Sequence, residues 1–296
     1  MSESHTGAVL LDKAEGISSF KALSPVKRAY RGKKVGHTGT LDPFASGLLV
    51  VLVGPLTRLA GELTGLEKHY STTVTFGEET DTLDPTGTVV HRCDTIPDLS
   101  EIESVLPRFI GTITQVPPIY SAVHINGRRA YDLARRGIDE AVPERTVTVS
   151  SLSVSDWSPP ELSLEITCGS GTYVRSLARD IGLACGSRAH VSRLRRTRVG
   201  QFHIGDSQSV DDFSARPRLV SAFEVLRRMP GIDCRTVHEH AAADIAHGKP
   251  FRTAMLAEAG TETSESDLAL FDTSGNFRAL VQKTQIGYKY RFVVPP

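Results

Sequence analysis

Two hydrophobic periods run along this chain of 296 residues and predict its secondary structure. Alternation at every second position, rich in β-branched residues, predicts strands at His69–Phe76, Thr146–Asp156 and Leu162–Cys168. Continuous apolar runs predict a buried strand at Gly47–Gly54 and a shorter one at Ala8–Leu11. Further strands are predicted near the C-terminus, at Leu268–Phe271, Ala279–Gln282 and Tyr290–Val294.

Helical spacing is clearest between residues 174 and 184, where apolar residues recur three and four positions apart and Arg175 and Arg179 share another face. The other predicted helices cover residues 19–30, 100–109, 220–228 and 238–247. Strands outnumber helices and do not alternate regularly with them. The pattern therefore predicts an α+β fold with a mostly antiparallel sheet.

The length corresponds to about two domains. Pro230-Gly231 is the natural boundary, so we expect one domain over residues 1–230 and a smaller one over 231–296. The longest strictly apolar run, Leu48–Val53, has six residues, whereas a membrane helix needs about 20. The sequence also shows no signal peptide and no Cys-x-x-Cys pair, so we expect a cytoplasmic protein with reduced thiols.

The 34 basic and 34 acidic residues cancel, which excludes a uniformly basic nucleic-acid-binding protein. The charges are nevertheless segregated along the chain. Residues 25–37 and 188–198 each carry net +5 and residues 128–136 carry +3, whereas residues 78–103 carry −7 and residues 233–272 carry −5. Three basic runs gathered by folding would bind phosphates, so we expect them to converge and the acidic C-terminal part to point away.

The segment Gly36–Gly54, GHTGTLDPFASGLLVVLVG, places one carboxylate in a glycine-rich loop just before the buried strand. The glycines permit a tight turn, and Pro43 drives Asp42 out of helical geometry. Asp-Pro pairs are also common in ordinary turns. From the residues alone, Asp42 is therefore either a turn former or a catalytic carboxylate.

Four segments, in this order, resemble the motifs of the tRNA pseudouridine synthase B (TruB) family. The first is LLDKAEGISS (10–19), with Ala14 where the family usually has Pro, and the second is the catalytic motif, GHTGTLDPFASGLL. The third is EKHYSTTVTFGEETDTLDPTG (67–87), and the fourth is GSGTYVRSLARDIG (169–182) with the basic segment RAHVSRLRRTRVG (188–200). The resemblance covers roughly residues 8–230 and implies the pseudouridine-synthase catalytic fold.

The resemblance implies catalytic roles for four residues. Asp42 would be the nucleophile of uridine isomerisation, and whether it attacks the base or the ribose stays open. Arg175 would pair with Asp42 and keep it ionised. Tyr70 and Tyr173 would hold the uridine after it has been flipped out of the RNA stack.

Other residues would contact the RNA substrate. By resemblance, His37 would help to displace the T-loop stack, Leu194 would line the base pocket, and Asp81 would brace its own loop. A thumb insertion at about residues 119–146 would close over the T-loop, its basic helix facing phosphates. The arginines expected in substrate binding are Arg128, Arg129, Arg195 and Arg196.

These roles imply a tRNA pseudouridine(55) synthase, an intramolecular transferase of the isomerase class that acts on the T-stem-loop. It would need no cofactor and no metal, and would be a monomer without an obligate protein partner or a membrane. By the same resemblance, residues 231–296 would form a small PUA-like, β-rich domain. The acidity of that segment makes its contribution to RNA binding doubtful.

Two other interpretations remain. A nonenzymatic RNA-binding or RNA-chaperone protein would use the same basic surface, although it has no need of a carboxylate among basic runs. The segment FDTSG (271–275) points to an aspartic hydrolase, but that chemistry requires two carboxylates that share a proton, and the sequence holds no second copy. FDTSG fits a polar hairpin turn better.

Overall fold

The structure, a computed structural model, describes residues 5–121, 124–125, 128–129, 142–257 and 265–294, with the backbone alone for residues 124, 125, 128 and 129. Most of the predicted thumb, with the side chains of Arg128 and Arg129, lies outside the described residues. Within the described ranges, no helix is long and apolar enough to cross a membrane.

The chain folds into many short strands and a smaller number of helices. The strands are β1 (Gly7–Lys13), β2 (Val35–His37), β3 (Ser46–Val53), β4 (Lys68–Phe76), β5 (Glu78–Thr80), β6 (Val89–Arg92), β7 (Gly111–Gln115), β8 (His124–Ile125), β9 (Arg128–Arg129), β10 (Arg145–Ser158), β11 (Glu161–Cys168), β12 (Ala189–Val199), β13 (Phe202–His203), β14 (Gln208–Ser209), β15 (Val220–Ser221), β16 (Ile232–Thr236), β17 (Asp267–Phe271), β18 (Phe277–Thr284) and β19 (Gly287–Val293). The helices are α1 (Ser19–Ala22), α2 (Ser24–Ala29), α3 (Ala60–Gly65), α4 (Leu99–Val105), α5 (Val174–Ala184), α6 (Val210–Ala215), α7 (Ala222–Arg227) and α8 (Glu239–Ala246).

One large sheet organises the first two thirds of the chain. Its strands follow the order β14-β1-β3-β12-β4-β11-β10-β7, and β2, β13 and β15 pair with strands of this path. Two of the pairs, β1 with β14 and β3 with β12, are parallel, and the others are antiparallel. The predicted α+β fold with a mixed, mostly antiparallel sheet is confirmed.

Strand β3 is apolar throughout because both of its faces are covered. Side chains of Leu48–Val53 belong alternately to two cores, and all six are fully buried. One core includes Phe271 and Phe292 of the C-terminal sheet, and the other includes Val26 of α2. A strand buried on both faces needs no polar alternation, and it forms a rigid support for the loop that precedes it.

Proline shortens two of the predicted helices. The helix expected over residues 19–30 is divided into α1 and α2, because Pro25 lacks an N–H and its ring would collide with the carbonyl of Lys21 in a continuous helix. The helix expected over residues 100–109 consists of α4 and a 3-10 turn that contains Pro107. Hydrophobic spacing located both segments but not their ends.

The C-terminal residues form a second sheet, in the order β16-β17-β18-β19. The first of these strands was not predicted, and it pairs parallel with β17. One group of side chains, including Phe271 and Phe277, joins a core shared with the large sheet, and another, including Leu270 and Val281, joins a core with α8. This small β-rich unit agrees with the PUA-like fold expected there, while a domain boundary at residue 230 stays a prediction.

The segment FDTSG forms the turn between β17 and β18. Asp272 Oδ1 accepts the backbone N–H groups of Ser274 and Asn276 at 2.9 and 2.8 Å. Asp272 Oδ2 pairs with Arg278 Nη2 at 2.6 Å. Both carboxylate oxygens are thus engaged in holding a hairpin turn, and the aspartic hydrolase interpretation gains no support.

Candidate active site

A pocket of about 310 Å³ opens beside the loop before β3, at β4, β12 and the N-terminus of α5. Four segments far apart in the sequence meet there: residues 36–54, 67–87, 169–182 and 188–200. The residues singled out from the sequence that line it are Asp42, Tyr70, Tyr173, Arg175, Leu194 and Arg196. His37 and Arg195 do not line this pocket.

Arg175 lies between two carboxylates at the pocket wall. Its Nε is 3.0 Å from Asp42 Oδ2, and its Nη1 is 3.1 Å from Asp84 Oδ2. Nη1 also donates to Thr82 O at 2.7 Å, and Nη2 donates to Tyr120 O at 3.0 Å. Because Arg175 is only 3% exposed, its guanidinium is fixed in position and presents Nε to Asp42, in the pairing that the resemblance implies.

The carboxylate of Asp42 is more basic than an ordinary aspartate. Burial raises the pKa of Asp42 above its usual 3.8, the Arg175 guanidinium opposes this rise, and the negative charge of Asp84 adds to it. Arg175 therefore favours the ionised form without fully offsetting the loss of solvent. A basic carboxylate beside a fixed cation is suited to forming and releasing a covalent adduct.

Asp84 is the main site residue that the sequence patterns did not reveal. It is 4% exposed, and its Oδ1 accepts hydrogen bonds from Thr82 Oγ1 at 2.8 Å and from Thr86 N at 3.0 Å. The local sequence Thr-Leu-Asp-Pro-Thr is typical of an aspartate that holds its own turn. Its second partner, Arg175, is 91 residues away, so only the fold shows that Asp84 orients the arginine.

The neighbouring Asp81 behaves as the resemblance implied. Its Oδ1 accepts the backbone N–H of Thr88 at 2.8 Å, across the loop between β5 and β6. Asp81 does not line the pocket. It therefore braces the loop that carries Asp84 and does not face the pocket.

Two polar side chains fasten the loop that carries Asp42. Ser19 Oγ donates to Leu41 O at 2.9 Å and accepts from Leu41 N at 2.8 Å. Lys13, which is fully buried, donates from Nζ to Pro43 O at 3.3 Å. Burial lowers the pKa of Lys13 to about 8, and the charge of Asp42 opposes that shift. The loop is thus held on both sides of its carboxylate.

Arg196, on the neighbouring strand β12, also supports the loop that carries Asp42. It is 1% exposed, and it donates from Nε to Leu48 O at 2.8 Å and from Nη2 to Gly39 O at 3.1 Å. Gly47 has φ +107°, and a Cβ there would lie 2.3 Å from the Arg196 carbonyl oxygen, so only glycine lets the two strands approach. Arg196 lines the pocket, but it is almost fully buried and its donors go to backbone carbonyls, so its expected contact with phosphates stays a prediction.

Aromatic and apolar side chains give the pocket its flat surfaces. Tyr173 precedes α5, and Gln115 clamps its backbone, accepting from Tyr173 N at 2.8 Å and donating to Tyr173 O at 3.1 Å. Tyr70 lies opposite Arg196 in the β4–β12 register, and burial raises the pKa of its phenol while Arg196 opposes the shift. With Leu194, which is 7% exposed, these rings suit an unstacked base.

His37 lies on β2, next to the pocket loop but outside the pocket. It is half-buried, and its Nδ1 has no hydrogen-bond partner among the described residues. Burial lowers the pKa of His37 below 6.5, and the positive charges of Arg196 and Lys27 lower it further. His37 is therefore a neutral imidazole near pH 7, and its contact with RNA stays a prediction.

The two strongly basic runs have different surroundings. In residues 188–198, Arg188 pairs with Glu79 at 3.0 Å, Arg195 with Asp12 at 2.6 Å and Arg198 with Glu67 at 3.2 Å. In residues 25–37, all five cations are exposed, and none has an acidic partner within the described ranges; they are Lys27, Arg28, Arg31, Lys33 and Lys34. The cations of the first run are therefore free of acidic partners among the described residues, whereas the second run is largely neutralised, and the expected phosphate-binding surface stays a prediction.

The chain matches two family models, adjacent along the sequence. Residues 27–174 match the N-terminal domain of the TruB family of pseudouridylate synthases, and residues 175–228 match the C-terminal domain of tRNA pseudouridylate synthase B. The chain belongs to the TruB family. Within the described residues, no group of three or more His, Cys, Asp or Glu side chains could hold a metal ion.

Relatives and solved structures agree with membership of the TruB family. The tRNA pseudouridine synthase B of Borreliella burgdorferi (strain ZS7) is 46% identical over 210 residues, which cover 70% of this chain and 74% of that protein. The tRNA pseudouridine synthase B of Bordetella pertussis is 42% identical over 227 residues, or 76% and 93% of the two chains. The crystal structure of a Cbf5-Nop10-Gar1 complex matches with a TM-score of 0.70 at 25% identity, over 98% of this chain and 85% of that one.

Proposed function

We propose that this TruB-family protein isomerises uridine to pseudouridine at position 55 in the T-loop of tRNA. The observation that carries the proposal is the pocket in which Arg175 fixes the basic carboxylate of Asp42 beside Tyr70 and Tyr173. The relatives named tRNA pseudouridine synthase B support the choice of tRNA. We infer a cytoplasmic monomer that needs neither a cofactor nor an obligate protein partner.

The isomerisation exchanges one glycosidic bond for another. The bond between N1 and C1′ breaks, the uracil turns, and C5 bonds to C1′; the proton on C5 leaves and N1 gains one, so the product is an isomer of the substrate. Asp42 supplies the nucleophile that forms and releases the covalent adduct, and Arg175 holds it in place. Asp84 keeps Arg175 oriented throughout.

The target base is stacked within the T-loop and must leave the stack to reach Asp42. Tyr70, Tyr173 and Leu194 offer it an aromatic and apolar pocket that compensates for the lost stacking. Outside the pocket, the exposed cations of residues 25–37 bind the RNA backbone, and the neutral His37 lies beside them. Arg128 and Arg129 of the thumb are proposed to add phosphate contacts.

The direct test is release of tritium from a T-stem-loop RNA that carries 5-tritiated uridine, because C5 loses its hydrogen only during isomerisation. We expect the wild type to release tritium and Asp42→Ala to release none, with RNA affinity kept within about tenfold, or about 1.4 kcal/mol. Asp156→Ala, an exposed aspartate of β10, is the matched control and should retain turnover. Turnover by Asp42→Ala would refute the nucleophile, and binding without release by the wild type would favour the RNA-chaperone interpretation.

The pH profile tests the state of Asp42 independently. Turnover needs the ionised carboxylate, so activity should fall as the pH drops through the pKa of Asp42, which lies above 3.8. The charge of Asp84 contributes to that raised pKa, so Asp84→Asn should move the acid limb of kcat to lower pH. An acid limb that stays in place or moves to higher pH would contradict this assignment.

A further inference from the structure

Arg145 lies at the rim of the pocket, although neither the sequence motifs nor the mechanism uses it. It begins β10, and its guanidinium carbon is 5.7 Å from the centre of the Tyr173 ring. A Cβ built on Gly171 would lie 3.7 Å from Arg145 Nη1. Gly171 and Tyr173 both line the pocket, so the guanidinium lies beside two of its lining residues.

The guanidinium of Arg145 has no anionic partner in the part of the chain that the structure describes. Its Nε is shielded from solvent and makes no hydrogen bond there. Arg175 Nε also makes no hydrogen bond, but it lies 3.0 Å from a carboxylate oxygen of Asp42. Arg195 contacts a carboxylate and Arg196 donates to backbone carbonyls, so Arg145 differs from these arginines in having no such contact among the described residues. A guanidinium held over an aromatic ring, with its donors unused, is prepared to bind an anion.

A uridine flipped into the pocket carries a backbone phosphate, and we expect this anion to lie near Arg145. A base that enters the pocket leaves its sugar-phosphate backbone at the rim, because the pocket of about 310 Å³ is already lined with the groups that face the nucleoside. Gly171 has φ +83° and no side chain, so the backbone can approach closely at that point. The planar fork of an arginine matches two phosphate oxygens.

We propose that Arg145 binds a backbone phosphate adjacent to the flipped uridine. The proposal rests on the proposed function and adds a substrate-binding residue to it. The contact with the Tyr173 ring fixes the guanidinium, so the same interaction that places the ring also aims the cation at the RNA backbone. Arg145 thereby selects an extruded nucleotide over a stacked one, whose phosphate stays away from the rim.

The test pairs one protein change with one RNA change. A series of T-stem-loop RNAs carries a single neutral methylphosphonate linkage at each position around the target uridine, and each is assayed for Kd, KM and kcat with the wild type and Arg145→Gln. We expect one linkage to weaken wild-type binding about tenfold and Arg145→Gln to weaken binding of the unmodified RNA similarly. Combining both changes should cost no more than either alone.

Three controls complete the test. Arg145→Lys keeps the charge but not the fork and should bind with intermediate affinity. Arg92→Gln, which removes an exposed arginine paired with Glu78, should show the wild-type dependence on the linkages. The salt slope of log Kd should fall by about 0.7 to 0.9 for Arg145→Gln, as expected for one phosphate. Circular dichroism checks that every variant is folded.

The outcomes separate this proposal from the function it rests on. If the wild type releases tritium but no linkage shows coupling to Arg145, the phosphate contact is wrong and the function stands. If Arg145→Gln lowers kcat with KM and the salt slope unchanged, Arg145 only braces Tyr173 and the proposal is refuted. If the wild type releases no tritium, the proposed function itself fails.

Discussion

The two most basic runs of the chain carry the same net charge, +5, and the fold uses them in opposite ways. Residues 25–37 run from α2 into a loop, and every cation there is exposed. Residues 188–198 form most of β12, between β3 and β4 in the interior of the large sheet. There, Arg196 is fully buried and three other arginines pair with acids from neighbouring segments.

The difference shows that the net charge of a run does not predict whether its cations can bind phosphates until the secondary structure of the run is known. A helix end or a loop at the surface leaves its cations free for phosphates. A strand in the interior of a sheet turns alternate side chains inward, where each charge needs a partner. The inward-facing Arg196 finds backbone carbonyls as partners, whereas the acids Asp12 and Glu67 pair with the partly exposed Arg195 and Arg198.

The largest effect expected from this comparison concerns Arg196. We expect Arg196→Met to lower the free energy of unfolding by about 3 kcal/mol, because the buried carbonyl Leu48 O and the partly buried carbonyl Gly39 O would be left without their charged donor. Arg193→Met on the same strand, where the arginine is exposed, should change stability by about 0.5 kcal/mol or less. Urea unfolding measures both values, and equal decreases would contradict the structural role of Arg196.

A second prediction compares the two runs in RNA binding. The double variant Lys33→Ala, Lys34→Ala should weaken binding of a T-stem-loop RNA about tenfold and reduce its salt slope by up to about 0.9 for each phosphate that the variant no longer neutralises. The double variant Arg188→Ala, Arg198→Ala removes the same charge from ion-paired positions and should leave the salt slope unchanged. Filter binding over a range of salt concentrations measures the affinity and the salt slope of both double variants. A larger loss for Arg188→Ala, Arg198→Ala than for Lys33→Ala, Lys34→Ala would overturn the assignment of the RNA surface.

A third prediction measures one ion pair of the second run. Arg195 and Asp12 make two hydrogen bonds, at 3.1 and 2.6 Å, but their side chains are 42% and 31% exposed. Solvent screening therefore limits the pair to less than about 1 kcal/mol. A double-mutant cycle with Arg195→Ala and Asp12→Ala gives the coupling free energy. A value above about 2 kcal/mol would mean that this part of the strand is shielded from water, unlike the exposed run.

Much of the fold was predictable because the sequence carries local signals for it. Alternation located β4, β10 and β11, and the continuous apolar run located β3. The break at Pro25 and the strand β16 were missed, the first because periodicity ignores a missing N–H and the second because only Ile232 and Cys234 of its five residues are apolar. The sequence of β16, Ile-Asp-Cys-Arg-Thr, does alternate, but over too few positions to stand out from a loop.

Those residues of the candidate site that lie within a recognisable sequence motif could be predicted. Asp42, Tyr70, Tyr173 and Arg175 were indicated by their motifs, and the structure places all four around one pocket. Asp84 and Arg145 were not, because their relation to the site depends on interactions across many intervening residues, which no local pattern encodes.

The smallest expected effect is on the pKa of His37, which one cation from each basic run lowers. Burial, then Arg196 of the second run, then Lys27 of the first lower the pKa of His37 below 6.5. Lys27→Ala should therefore raise the pKa of His37, and the value should stay below 6.5 because burial and Arg196 persist. Lys33→Ala removes a charge from the same run that does not act on His37, and it should leave the pKa unchanged. An NMR titration of the imidazole resolves the two variants, and equal shifts would mean that the exposed run acts on His37 as a diffuse charge and not through Lys27.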